Sequence, residues 1–65
     1  MSEIEALKAR VKTLSVRAVQ AKMDLHDLSE ELPGRWQEIP EVAARCHALH
    51  ADLAEARAAL KALGH

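Results

Sequence analysis

The sequence predicts an all-α protein, an antiparallel two-helix hairpin that dimerises into a four-helix bundle. Three observations lead there. Thirteen alanines and nine leucines stand beside one aromatic residue, two glycines and two prolines in a chain of 65 residues, and Ala and Leu lose little conformational freedom in a helix. Apolar residues recur in alternating steps of three and four along two segments, which keeps each set on one side of a helix. Finally, a chain this short buries only roughly 60% of the surface its unfolded state exposes, and a second copy is the simplest way to extend the core.

The first helix is expected over about residues 3–31. Ser2 with Glu5 reads as a capping box at its start, and Pro33 discourages helix at Leu32. Its seam is Ile4, Leu7, Val11, Leu14, Ala18, Ala21, Leu25, Leu28 and Leu32. A connection over about residues 32–39 follows, too short for anything but an antiparallel return. The second helix is expected over about residues 40–63, with Pro40 at its first position and Gly64 as terminator. Its seam is Ile39, Val42, Cys46, Leu49, Leu53, Ala56, Leu60 and Leu63. The hairpin sets Leu25 near Cys46, Ala21 near Leu49, Ala18 near Leu53 and Leu14 near Ala56, so that large residues face small ones. Cys46 is then a small buried hydrophobe.

Flanking charges fit this register. They would pair Asp24 with Arg45 and Arg17 with Asp52, at about 0–1 kcal/mol for each exposed pair, while Glu31 opposite Glu38 is a mismatch. Basic residues gather toward the termini (Lys8, Arg10, Lys12, Arg17, Arg57, Lys61) and acidic ones toward the turn (Asp24, Asp27, Glu30, Glu31, Glu38, Glu41). Two hairpins laid antiparallel place opposite charges side by side, which predicts an antiparallel homodimer.

Composition narrows the function classes. Nine Lys and Arg against ten Asp and Glu give a net charge of -1, without the basic excess that draws a chain onto nucleic acid or an anionic membrane. No apolar run approaches the roughly 20 residues needed to span a bilayer, and the lone cysteine fits a reducing cytoplasm, so a cytoplasmic location is expected. A glycine-rich phosphate loop, CxxC and HExxH are all missing from the sequence, and the expectation is a protein that is not an enzyme.

Four features exceed what a plain bundle needs. Val16, Val19 and Met23, with His26 beyond them, form a second stripe on the outer face of the first helix; it is either scattered exposed apolar residues or a surface that meets a partner or another dimer. Asp24, Asp27, Glu30 and Glu31 crowd a helix C-terminus, where the dipole prefers cations. Either Arg45 and a partner's basic end neutralise them, or they hold a cation or a basic partner. His26 lies among them with Glu30 one turn on, a mixed N/O pair suited to Zn, Ni, Fe or Mn if other subunits complete it; it is otherwise an ordinary surface histidine. His47 and His50 are a weaker candidate pair on the second helix, and His65 is a chain end. Trp36 reads most simply as a hydrophobic plug over the turn and, if exposed, as an anchor for another protein.

The run Lys22-Met23-Asp24-Leu25-His26-Asp27-Leu28-Ser29-Glu30-Glu31-Leu32-Pro33, continuing through Trp36-Gln37-Glu38-Ile39-Pro40, resembles a small protein family encoded within bacterial nitrogen-fixation gene clusters. The resemblance extends over nearly the whole chain. It implies a Rop-like hairpin that dimerises and sometimes assembles further, with members described as metalloproteins, and it draws attention to His26, Asp24, Asp27, Glu30 and Trp36. The function it implies is an accessory part in nitrogenase maturation, metal handling or protection, with a divalent transition metal (Ni, Zn or Fe) as cofactor and a nitrogenase-related protein as partner. The main alternative is RNA binding through Lys8, Arg10, Lys12, Arg17 and Lys22. No aromatic residue interleaves those charges for base stacking, which weakens it. A purely structural dimer is the third reading.

Overall fold

The computed structural model describes residues 2–64. Two helices, α1 (Glu3–Glu31) and α2 (Ile39–Ala62), pack as an antiparallel hairpin, joined by a tight connection that ends in a 3-10 turn over Trp36–Glu38. At 1.5 Å per residue a 29-residue helix is about 44 Å long, and this sets the rod-like extents of 47 × 14 × 14 Å. His65 lies outside the described residues.

The punctuation residues act as their chemistry requires. Ser2 has extended backbone angles, and its Oγ accepts from the Glu5 N–H at 3.1 Å, satisfying one of the free donors at the start of α1. Leu32 turns to ψ 145°, away from helix, as a residue before proline must. Gly34 marks a close approach of the backbone: an added Cβ would stand 3.0 Å from the Glu31 carbonyl oxygen, so a larger residue would require the turn to shift slightly. Arg35 carries the left-handed conformation, at φ 60°. α2 starts at Ile39, one residue earlier than expected, with Pro40 in the first turn where its missing N–H leaves no bond unmade. It closes on Gly64, at φ 83°, whose N–H donates to the Lys61 carbonyl at 2.9 Å.

The core follows the seam. Leu14, Ala18, Leu53 and Ala56 form one buried cluster with Val11 and Leu49 packed against it, so the residues of the two layers expected to pair Ala18 with Leu53 and Leu14 with Ala56 lie together in the core. Labelling Ile4 and Ile39 as a positions and Leu7 and Val42 as d positions divides the seam into two columns. Most of column d is buried: Leu14, Ala21, Leu28, Val42 and Ala56, with Leu7 and Leu49 half-buried and Leu63 exposed. Column a stays open along much of its length. Ile4, Val11, Leu25, Cys46 and Leu60 are half-buried, Leu32 and Ile39 are 40% and 37% exposed, and Ala18 and Leu53 are its buried members. Cys46 is thus not the buried hydrophobe expected of it, because it sits on the open column.

Candidate functional site

The outer face of α1 is built by helical spacing alone. Val16, Val19 and Met23, at i, i+3 and i+7, share one side of the helix. They turn away from the hairpin and are 67%, 59% and 50% exposed. Beside them, a shallow depression is lined by Ser15, Val16, Val19 and Gln20.

One turn beyond Met23 the same face becomes polar. His26 Nε2 lies 3.2 Å from Glu30 Oε1, and its Nδ1 lies 3.5 Å from Asp27 Oδ1. The imidazole is therefore bracketed by two carboxylates, all three side chains being exposed. The i, i+4 spacing sets the His26–Glu30 contact. Ser29 Oγ donates to the His26 carbonyl at 2.6 Å, occupying a backbone acceptor in the last turns of α1. Two donors that each sit about 2.1 Å from a zinc-like ion, at 90–110° to one another, are about 3.0–3.4 Å apart. The His26–Glu30 separation falls in that range. Among the described residues no three His, Cys, Asp or Glu side chains converge as a metal site, so the single chain brings neighbouring donor groups together without assembling a metal site by itself.

Of the acidic residues at the end of α1, Glu31 meets a cation within the chain, and it is not the one expected. Arg35, not Arg45, reaches back from the turn: its Nη1 donates to Glu31 Oε2 at 2.6 Å, while Nε and Nη2 donate to the two oxygens of Glu38 at 2.7 and 2.8 Å. The expected repulsion between Glu31 and Glu38 is thereby converted into a shared clamp. The hydrogen bonds from Arg35 and its positive charge hold the Glu38 carboxyl below its ordinary range, and the same bonds together with the Glu31 charge raise the affinity of Arg35 for its proton. Sequence reasoning missed Arg35. The signal was present in its spacing, four residues after Glu31 and three before Glu38, but a left-handed arginine in the turn had to be known for both contacts to close.

Neither Asp24–Arg45 nor Arg17–Asp52 is in ion-pair contact. Asp24 instead accepts from Gln20 Nε2 at 2.9 Å, a local bond within α1 that orders fewer side-chain torsions than a bridge to α2 would. Arg17, Asp24 and Arg45 line a common open groove together with Gln20, Ala21 and Leu49. Trp36 does not plug the turn: it is 61% exposed. Three residues of 3-10 helix leave its side chain outside the end of the hairpin, since among the described residues no apolar layer lies beyond Leu32 and Ile39 to receive it. The histidines of α2 are not brought into a shared site. His50 Nδ1 turns back to its own helix, 2.9 Å from the Cys46 carbonyl oxygen and 3.7 Å from Cys46 Sγ, and His47 is exposed. No described helix is long and apolar enough to cross a membrane.

Comparison with known proteins agrees with this architecture. A UPF0437 protein of Azorhizobium caulinodans is 54% identical over 63 residues, covering 97% of this chain and 91% of the relative. The UPF0437 protein y4xE of Sinorhizobium fredii is 45% identical over 62 residues, covering 95% of this chain and 92% of the relative. A third relative, from Frankia alni, is 39% identical over 49 residues, 75% of this chain and 60% of its own, and is described as a UPF0437 protein in the nifX-nifW intergenic region. No solved structure matches. The half-open helical hairpin and these relatives are joined by a match to the Rop-like family over residues 2–65, and the chain belongs to that family.

Proposed function

We propose that this protein is a non-enzymatic accessory protein associated with nitrogen fixation, acting as a homodimer of hairpins that holds a divalent transition metal ion through His26 and Glu30. The observation that carries the metal assignment is the geometry at the end of α1, an exposed imidazole 3.2 Å from one carboxylate with a second carboxylate on its other nitrogen. Neutral imidazole and carboxylate together suit Zn, Ni or Fe. The association with nitrogen fixation is supported by the Frankia alni relative, whose name places it between nifX and nifW.

Dimerisation is supported by surface area. A compact monomer of 7.2 kDa exposes about 4,100 Å², whereas this hairpin exposes 4877 Å². The excess, about 750 Å², approaches the roughly 800 Å² that each partner buries in a standard interface. Column a is the surface that a second copy would cover.

Calorimetric titration with Ni²⁺ and Zn²⁺ tests the metal reading. Wild type should bind, His26→Ala should lose most of the affinity, and His47→Ala and His50→Ala should keep it. Acidification should release the metal, because protons compete for the donating imidazole nitrogen. Equal affinity in wild type and His26→Ala would overturn the assignment; a loss confined to His47→Ala or His50→Ala would move it to α2.

A further inference from the structure

On the column-d flank, away from the surface that column a presents, the helices leave a groove of about 250 Å³. Its walls are Arg17, Gln20 and Asp24 of α1 and Arg45 of α2, and Ala21 and Leu49 form its floor. Among the described residues neither arginine has an ion-pair partner, and Asp52, the residue expected to pair with Arg17, does not line the groove. Asp24 is half-buried, and its Oδ1 accepts from Gln20 Nε2 at 2.9 Å. That bond holds the carboxylate on the α1 wall and leaves Oδ2 and the Gln20 side-chain carbonyl as unused acceptors. Two positive charges and one negative give the groove one net positive charge. Arg17 stands one turn from Ala21 toward the termini, and Arg45 one turn from Leu49 toward the connection. At about 1.5 Å per residue their backbones are therefore about 12 Å apart along the rod. A guanidinium presents paired N–H donors that suit a carboxylate. A molecule that meets both arginines must carry two carboxylates on a short chain, and one that also satisfies Asp24 must carry an ammonium group.

We propose that this groove binds a free α-amino dicarboxylate, the chemical class of the acidic amino acids. The two carboxylates lie on Arg17 and Arg45, the ammonium lies on Asp24 and the Gln20 carbonyl, and the methylene chain covers Ala21 and Leu49. The ligand's single net negative charge matches the groove's single positive one. A dicarboxylate without the ammonium brings like charge to Asp24, and an amino acid with one carboxylate leaves one arginine unsatisfied, so selectivity rests on all three charged residues together. Because the groove is open, each contact contributes little by itself, and affinity lies in the millimolar range. His26 is on another face of α1 and takes no part, so this site does not depend on the metal reading.

Chemical-shift titration of the isotope-labelled full chain, in metal-free buffer at constant ionic strength, tests the site. L-Glutamate should move the Arg17 and Arg45 Nε–H signals and the Gln20 side-chain amide saturably. Glutarate, which lacks the ammonium, and L-glutamine, which lacks one carboxylate, should each bind about fivefold more weakly, one charged contact being lost in either case. Arg17→Gln and Arg45→Gln should each abolish saturation, and Asp24→Asn should invert the preference so that glutarate binds better than L-glutamate. None of these three residues is in the buried core, so helicity should be unchanged in every variant. His26→Ala should keep the glutamate response while losing metal affinity, which separates failure here from failure of the metal reading. Shifts no larger than those produced by sodium chloride would overturn the proposal. So would glutarate or L-glutamine binding as tightly as L-glutamate, or a glutamate response that survives Arg17→Gln or Arg45→Gln.

Discussion

Leu25 and Leu28 are chemically identical, three residues apart on α1 and members of the same seam, yet Leu28 is 2% exposed while Leu25 is only half-buried. The difference lies in what flanks each column. Beside column d run long charged side chains, among them Arg17, Asp24, Glu31, Glu38 and Arg45, which line the grooves over Ala21, Leu49 and Val42 and shield apolar neighbours with their stems. Beside column a the sequence places Ser15, Ser29 and Ala43 between its longer residues. Short side chains cover little, and they also leave room for another helix to approach. One flank of the hairpin is finished within the chain, and the other is the flank that the proposed dimer would cover.

The sharpest way to break this contrast is to truncate both leucines. Leu28→Ala should cost about 2–5 kcal/mol, as for a fully buried leucine, and by the same amount at every protein concentration. Leu25→Ala should be milder in dilute solution and should cost more as concentration rises, because in the proposed dimer a second copy would complete its burial. Chemical denaturation at two concentrations a hundredfold apart reads both. Equal, concentration-independent losses would mean that the two columns do not differ in the way described.

The next largest effect sits in the layer where column a closes by itself. Ala18→Leu adds volume against Leu53 in the cluster that also holds Leu14 and Ala56, and overpacking should cost about 1–3 kcal/mol or change the association state. Thermal melting with a sizing measurement checks it; an unchanged melting temperature and mass would show that Ala18 and Leu53 are not paired.

The smallest effect is expected at the turn, which holds the two columns in register. Arg35→Ala removes the clamp on Glu31 and Glu38 and should lower the melting temperature modestly at neutral pH. The Glu38 carboxyl is depressed from an ordinary value of 4.5, so its stabilisation is fully present above that value and is lost as pH falls through its lower folded value. Melting temperatures of wild type and Arg35→Ala should therefore converge in strong acid. A gap that stays constant down to pH 2 would assign the effect to the turn backbone instead.

Much of the fold was legible in the spacing of apolar residues, because a period of three and four has few structural meanings in an alanine- and leucine-rich chain. Ser2, Pro33, Pro40 and Gly64 were legible for the same reason, since each has a narrow set of positions it suits. The inequality of the two columns was not. It depends on the lateral cover given by neighbouring side chains, and a heptad pattern treats a and d alike. Charge pairing across the helices was misread because Gln20 offers Asp24 a nearer partner and Arg35 folds back on its own turn. At the candidate site, spacing alone placed His26 beside Glu30; the second contact, to Asp27, depends on the side-chain conformation of adjacent residues. Trp36 was misplaced because its burial would need an apolar layer that the connection does not build.

The claim on which the rest turns is that column a is an interface between copies. Sedimentation equilibrium of wild type and Leu25→Lys across the micromolar range tests it most directly, with helicity followed in parallel. Wild type should sediment at no less than twice the chain mass at the upper end of that range and dissociate into helical monomers on dilution, and Leu25→Lys should remain a monomer throughout. A wild-type chain that remains a fully helical monomer throughout that range would contradict the account.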